Sequence, residues 1–150
     1  MKVFVGADHR GFDFKNKVIK LLEKEKYQVF DVGTYDCTTT CDYPKIAQKL
    51  ATQVVKTKGR GILICMSGIG QSIAANKVKG AYAALCHNKE SAQLSRLHNN
   101  SNILVLSAKF IQPGQLVPMI KTWMTTEFEG GRHLRRVNQI RQIERGKKIG

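Results

Sequence analysis

The 150-residue chain is predicted to be α/β, a Rossmann-like doubly wound sheet of five parallel strands with helices on both faces. Two observations predict this. Short β-branched runs alternate with amphipathic helical stretches from one end of the chain to the other. The length and the 42% hydrophobic content suit one buried core rather than two.

The elements follow in order. Strands are expected at Lys2 to Gly6, Gln28 to Val32, Gly61 to Cys65, Ala81 to Cys86 and Asn102 to Ser107. After the first, "GFDFKNKVIKLLEKEK" sets Phe14, Val18, Leu21 and Leu22 at helical spacing, and "YPKIAQKLATQVVKTK" does the same with Ile46, Leu50 and Val54. The third strand runs into the loop "SGIG" and a helix beginning "QSIAANK", and "NKESAQLSRLHN" is a further short helix. Pro113 opens a helix through Trp123, since proline suits the first helical position. Gly130-Gly131 then breaks the chain before a basic C-terminal helix in residues 130–150. No repeat or low-complexity linker intervenes, so residues 1–150 are read as a single domain.

Composition excludes several function classes. The longest apolar runs have the size of "GILIC", far short of a membrane span, and Met1 to Val5 meets Gly6 and Asp8 too early for a signal peptide. A cytoplasmic protein without a membrane partner is expected. Cys37, Cys41, Cys65 and Cys86 include no C-x-x-C pair, which argues for reduced thiols, and a zinc site on Cys37 and Cys41 would need two further ligands that the sequence does not place. The formal charge of +14 invites a nucleic-acid reading. Much of it is local, however: from Arg132 to Lys148 there are seven basic residues against Glu144 alone, and no RNP-like aromatic set, zinc finger or helix-turn-helix accompanies them. A solvated basic face is the simpler account.

In a five-stranded sheet of flavodoxin-like order 2-1-3-4-5, strands one and three meet at the topological switch point, where ligands bind. Asp8, His9 and Arg10 leave strand one there, and Cys65, Met66, Ser67, Gly68, Ile69 and Gly70 leave strand three. The "SGIG" loop offers unpaired amides to an anion or oxyanion. It is not nucleotide machinery: G-x-x-x-x-G-K-[ST] is absent and the G-x-G follows the third strand, not the first. Cys65 beside that helix start is expected to have a lowered pKa, which would suit a base or nucleophile, although a small buried hydrophobe ending a strand is the plainer alternative. His9 reads equally as a ligand or a surface histidine. Arg132 and Arg136, four apart on one helix face, suit a phosphate or a solvated face.

The stretches "GADHRGFDFK", "DYP", "ILICMSGIGQSIAANK", "SAQLSRLHNNSNILVLSAK" and "EGGRHLRRV" together resemble the type B ribose-5-phosphate isomerases and their galactose-6-phosphate and allose-6-phosphate isomerase relatives, from about residue 2 to residue 145. The resemblance implies an aldose–ketose isomerase of the pentose phosphate pathway that interconverts D-ribose 5-phosphate and D-ribulose 5-phosphate through a cis-enediolate, with no metal and no cofactor. It implies Cys65 as general base. Some members use a glutamate a few residues later, and that position is Gln71 here, which cannot accept the proton. Ser67 with the amides of Gly68, Ile69 and Gly70 would steady the enediolate oxygen, assisted by Asn99, and His98 would be the acid that opens the furanose ring. Asp8 and Tyr43 would hold sugar hydroxyls, while His9, Arg132 and Arg136 would take the phosphate. Lys109 stands where relatives carry a further phosphate arginine, keeping the charge without the fork.

The resemblance also implies a homodimer, or a dimer of dimers, with shared sites. His98 ends the helix before strand five and so belongs at the amino edge of the sheet, opposite Cys65. A hexose-phosphate isomerase would use the same residues on a longer sugar. A basic, non-catalytic sugar-phosphate or nucleic-acid binding module would have no use for Cys65, His98 and Asn99 together.

Overall fold

The computed structural model describes all residues from Met1 to Gly150. Five strands, β1 (Lys2–Ala7), β2 (Gln28–Gly33), β3 (Arg60–Cys65), β4 (Ala83–Leu85) and β5 (Ile103–Ser107), pair in parallel throughout. Four helices connect them, α1 (Phe12–Lys24), α2 (Tyr43–Thr57), α3 (Ile69–Ala75) and α4 (Lys89–Leu97), and two follow the last strand, α5 (Leu116–Thr125) and α6 (Gly131–Glu144). Pro113 begins a 3-10 turn, Pro113–Gln115, and α5 starts only after it. No helix is long and apolar enough to cross a membrane.

The class is as predicted; the strand order is not. The sheet runs β2-β1-β3-β5-β4, so β5 lies beside β3 and β4 is the edge, in place of the expected 2-1-3-4-5. Burial accounts for the exchange. Every residue of β5 is buried, whereas β4 is three residues long and only half-buried. A strand buried at every position loses most by standing at an edge, and a short one costs little there.

Alternation along the central strands divides the core between the two faces. Val3, Val5, Ile62, Ile64, Leu104 and Leu106 pack on one side with Val18 and Leu22 of α1 and with Met119, Ile120 and Trp123 of α5. Phe4, Leu63, Ile103 and Val105 pack on the other with Leu50, Ala51 and Val54 of α2. Glycine clears the close approaches: a Cβ on Gly61 would stand 2.5 Å from Leu50 and 2.8 Å from Val54.

Lys15 is the charged residue sealed most completely inside. Lys15 of α1 is fully buried, and its Nζ reaches both carboxylate oxygens of Asp31, at 2.8 and 2.7 Å, and the Thr34 carbonyl. Asp31 also accepts from the Gly33 amide at 2.9 Å, so this pair fastens the end of β2 beside the exit from β1. Lys15→Met is expected to cost about 2–3 kcal/mol, because the Asp31 carboxylate loses its counter-charge while still about one-third exposed. Urea denaturation measures this; a loss under about 1 kcal/mol would equate the pair with an ordinary surface bridge.

Candidate active site

Parallel strands deliver their carboxyl ends to one edge, and the loops leaving β1, β3 and β5 meet there. The Asp8 amide donates to the Ile64 carbonyl at 3.2 Å, and the Asp8 carboxylate, itself buried, accepts from Arg10 and Gly11 amides at 3.0 and 2.9 Å. Only glycine fits at position 11, where a Cβ would lie 2.6 Å from the Ile64 carbonyl oxygen. The β1 loop is thereby pressed against the end of β3.

Cys65 is the last residue of β3 and is 6% exposed. Its Sγ accepts from the Gly68 amide at 3.0 Å, in a turn that needs Gly68 at φ 81° and would drive a Cβ there to 2.5 Å from Leu85. The thiol does not behave as its place before a helix suggested. Burial pushes its pKa up, and the nearby Asp8 charge adds to this, against the lowering by the amides of Gly68, Gln71 and Ser67. Desolvation of the thiolate, with the Asp8 charge, outweighs the three amides. A pH titration of thiolate absorbance, taken as the difference between the protein and Cys65→Ser, should therefore show a midpoint above about 8.5. A midpoint near neutrality would contradict this description of the pocket.

The rest of the loop is tightly placed. Ser67 Oγ accepts from the Ile69 amide at 3.3 Å. A Cβ on Gly70 would stand 2.5 Å from the Tyr43 ring, which sits at the start of α2 and so lies against the loop. His9 is half-buried, with its Nδ1 4.0 Å from Cys41 Sγ. Gln71 is fully buried and its carboxamide has no hydrogen-bond partner within the protein.

The corrected strand order brings in residues that the predicted order kept a strand away. Cys65 pairs with Ser107 of β5, whose Oγ donates to the Met66 carbonyl at 2.7 Å and accepts from the amides of Lys109 and Phe110. The Lys109 amide donates to the same Met66 carbonyl at 3.1 Å. Lys109 thus belongs to the Cys65 edge, and Ser107, which the sequence did not single out, clamps the two loops together.

The remaining site residues gather elsewhere. His98 caps the end of α4, and its ring stacks on His133 of α6 with centroids 4.1 Å apart. The Glu129 amide donates to the Leu97 carbonyl at 3.1 Å, tying the approach to α6 to the end of α4, and the buried Arg96 fastens the same turn through Thr126, Asn100 and Ser101. Arg132, on α6, places its Nε 3.4 Å from His133 Nε2, and Arg136 follows one turn later. All of this lies at the amino edge. The carbonyl of Asn102, three residues after Asn99, accepts from the amide of Gly61 near the start of β3. From Gly61 to Cys65 is about 13 Å at 3.3 Å per residue. The predicted site is therefore two half-sites within one chain: Asp8, His9, Tyr43, Cys65, Ser67 to Gly70 and Lys109 at one edge, and His98, Asn99, Arg132 and Arg136 at the other.

A family model described as Ribose/Galactose Isomerase matches residues 3–140. The chain belongs to this family. It is 39% identical over 144 residues to the ribose-5-phosphate isomerase B of Escherichia coli K12, covering 95% of this chain and 96% of that one. Among solved structures, the ribose-5-phosphate isomerase B of Clostridium thermocellum superposes with a TM-score of 0.94 at 41% identity, covering 97% of this chain and 99% of that one. The Mycoplasma genitalium enzyme, solved with bound ribulose-5-phosphate, gives a TM-score of 0.93 at 36% identity, with 97% of each chain covered.

Proposed function

We propose that this family member interconverts D-ribose 5-phosphate and D-ribulose 5-phosphate, with Cys65 as the base and with His98, Asn99, Arg132 and Arg136 supplied by a second copy of the chain. The observation that carries the reading is Cys65 itself: a buried thiol at the switch-point edge, held by the Gly68 amide and facing the Asp8 loop. The ribulose-5-phosphate bound to the Mycoplasma relative supports the choice of sugar.

In this reading the thiolate form of Cys65 takes the proton from C2 of the open-chain aldose, electrons move into the C1 carbonyl, and the resulting cis-enediolate is reprotonated at C1 by the same sulfur. As the C2 carbonyl forms, the proton on O2 passes to O1, so that the C1 aldehyde becomes the hydroxymethyl group of the ketose. Negative charge develops on oxygen within reach of the Ser67 to Gly70 loop, the place where fixed donors are most effective. His98 of the second chain protonates the ring oxygen to open the furanose. Asp8 and Tyr43 hold hydroxyls, and His9 with the partner arginines and Lys109 holds the phosphate. The whole chain acts as a single isomerase domain.

The test is an isomerase assay of the purified protein on ribose 5-phosphate, allose 6-phosphate and galactose 6-phosphate. Ribose 5-phosphate should have the highest kcat/KM; preference for either hexose phosphate would move the chain to that branch of the family. Arg132→Ala or Arg136→Ala should weaken inhibition by inorganic phosphate by about 1.5–3 kcal/mol for each charge-assisted hydrogen bond removed. Unchanged inhibition constants would return both arginines to the solvated face.

A further inference from the structure

We propose that Cys37 and Cys41 form a reversible modification site: a low-molecular-weight disulfide of the glutathione type oxidises the pair to an internal Cys37–Cys41 disulfide, and closing that bond impairs the isomerase site. The loss of activity rests on the reading of His9 and Tyr43 as substrate-binding residues; the bond does not.

The thiols fall into two classes. Cys65 and Cys86 are buried, whereas Cys37 is exposed and Cys41 half-buried, both on the loop that joins β2 to α2. The Asp36 carboxylate folds this loop. It accepts from the Thr38 amide at 2.9 Å, the Thr38 hydroxyl at 3.1 Å and the Thr39 amide at 2.8 Å. These are the second and third amides after the aspartate, the ones that a capping side chain takes at the first turn of a helix. The chain bends continuously from Cys37 to Thr39. In a helical turn, residues four apart share one side with about 5–6 Å between Cβ atoms, and a disulfide needs about 3.5–4.5 Å. Tightening of an exposed loop by roughly 1–2 Å closes that gap.

Cys41 has a second neighbour. Its Sγ stands 4.0 Å from Nδ1 of His9. With the Nδ1 lone pair toward the sulfur, His9 takes the thiol proton and leaves the thiolate, which is the attacking form. Exposure sets the order of events. The Cys37 thiolate attacks one sulfur of the incoming disulfide, a new S–S bond forms to Cys37 as the old one breaks, and one thiolate leaves. The Cys41 thiolate then attacks the Cys37 sulfur, closing the internal bond and expelling the second thiolate. Two electrons pass to the reagent, the two thiol protons, one of them by way of His9, pass to the departing thiolates, and a dithiol reverses the sequence. Closure draws Cys41 away from His9. It also pulls on Asp42 and Tyr43, the cap and first residue of α2, where the Tyr43 ring packs against Gly70.

The experiment is incubation of the full chain with excess oxidised glutathione, followed by intact mass and by isomerase kinetics on ribose 5-phosphate. The expected product has lost only the two thiol hydrogens, from the peptide that contains Cys37 and Cys41. Its KM for ribose 5-phosphate should be raised by about tenfold or more, the loss of one charge-assisted contact, until dithiothreitol restores it. Cys37→Ser should match the untreated parent in activity, form no disulfide and keep its KM after treatment. Cys41→Ser should stop at the mixed disulfide, heavier by one glutathionyl group on Cys37. Persistence of all four free thiols, or a bond that involves Cys65, would overturn the site. Equal inhibition of Cys37→Ser and its parent would place the sensitive thiol elsewhere and overturn the link to this loop. The bond formed as described with KM unchanged would overturn the effect on the isomerase alone. A chain that forms the bond but turns over no sugar phosphate, oxidised or reduced, would leave the site standing and remove the isomerase reading instead.

Discussion

Cys65→Ser should leave a folded protein whose kcat is lower by about 10²- to 10⁴-fold, the range spanned by a positioned proton-transfer group. Serine is nearly the same size, and its Oγ can accept from the Gly68 amide as the sulfur does at 3.0 Å, so the turn at the end of β3 keeps its shape. A hydroxyl, however, is a far weaker acid than a thiol and supplies no base near neutral pH. KM should change little, because the hydroxyl and phosphate interactions proposed for Asp8, Tyr43 and the arginines are untouched. Retention of more than about a tenth of wild-type kcat, under about 1.4 kcal/mol in the barrier, would mean that Cys65 is not the base.

The second large effect is a recovery of activity. Cys65 and His98 stand at opposite edges of the sheet, separated by the length of β3, so neither can complete a site with the other on the same chain. Cys65→Ala and His98→Ala should each be nearly inactive and should regain activity when co-refolded in equal amounts. Half of the randomly formed dimers are mixed, and each mixed dimer has one intact and one doubly damaged site, so the ceiling is about a quarter of wild-type activity. Mixed dimers demonstrated by mass, with no activity above the parents, would assign His98 to its own chain or to no catalytic role.

The fold class could be read from the sequence because it depends on local pattern: each strand and helix announces itself by its apolar spacing. The order of β4 and β5 could not, since both follow a helix and both read as strands. What separates them is that β5 is buried at every position while β4 is short and half-buried, and this matters only once the sheet closes. That single exchange also hid Ser107, whose hydroxyl bridges Met66 to Lys109 only because β5 adjoins β3.

At the site, the residues expected to meet were legible by motif, but their electrostatics were not. The position of Cys65 before a helix suggested a lowered pKa; burial under the loops from β1 and β5, a tertiary effect, raises it instead. Glu129 and His133 escaped notice for a similar reason. Nothing in the sequence pairs either with His98; in the folded chain the bond from the Glu129 amide to the Leu97 carbonyl and the stack of the two imidazoles do so.

Removal of a proton from C2 by a solvent-exchangeable sulfur is tested with ribose 5-phosphate carrying deuterium at C2, turned over by the wild-type protein in ordinary water. The expected product is ribulose 5-phosphate with part of the label lost to solvent, formed more slowly than from the unlabelled sugar. Ribulose 5-phosphate with all of its deuterium moved to C1, the outcome of a direct hydride shift, would contradict a proton transfer through Cys65.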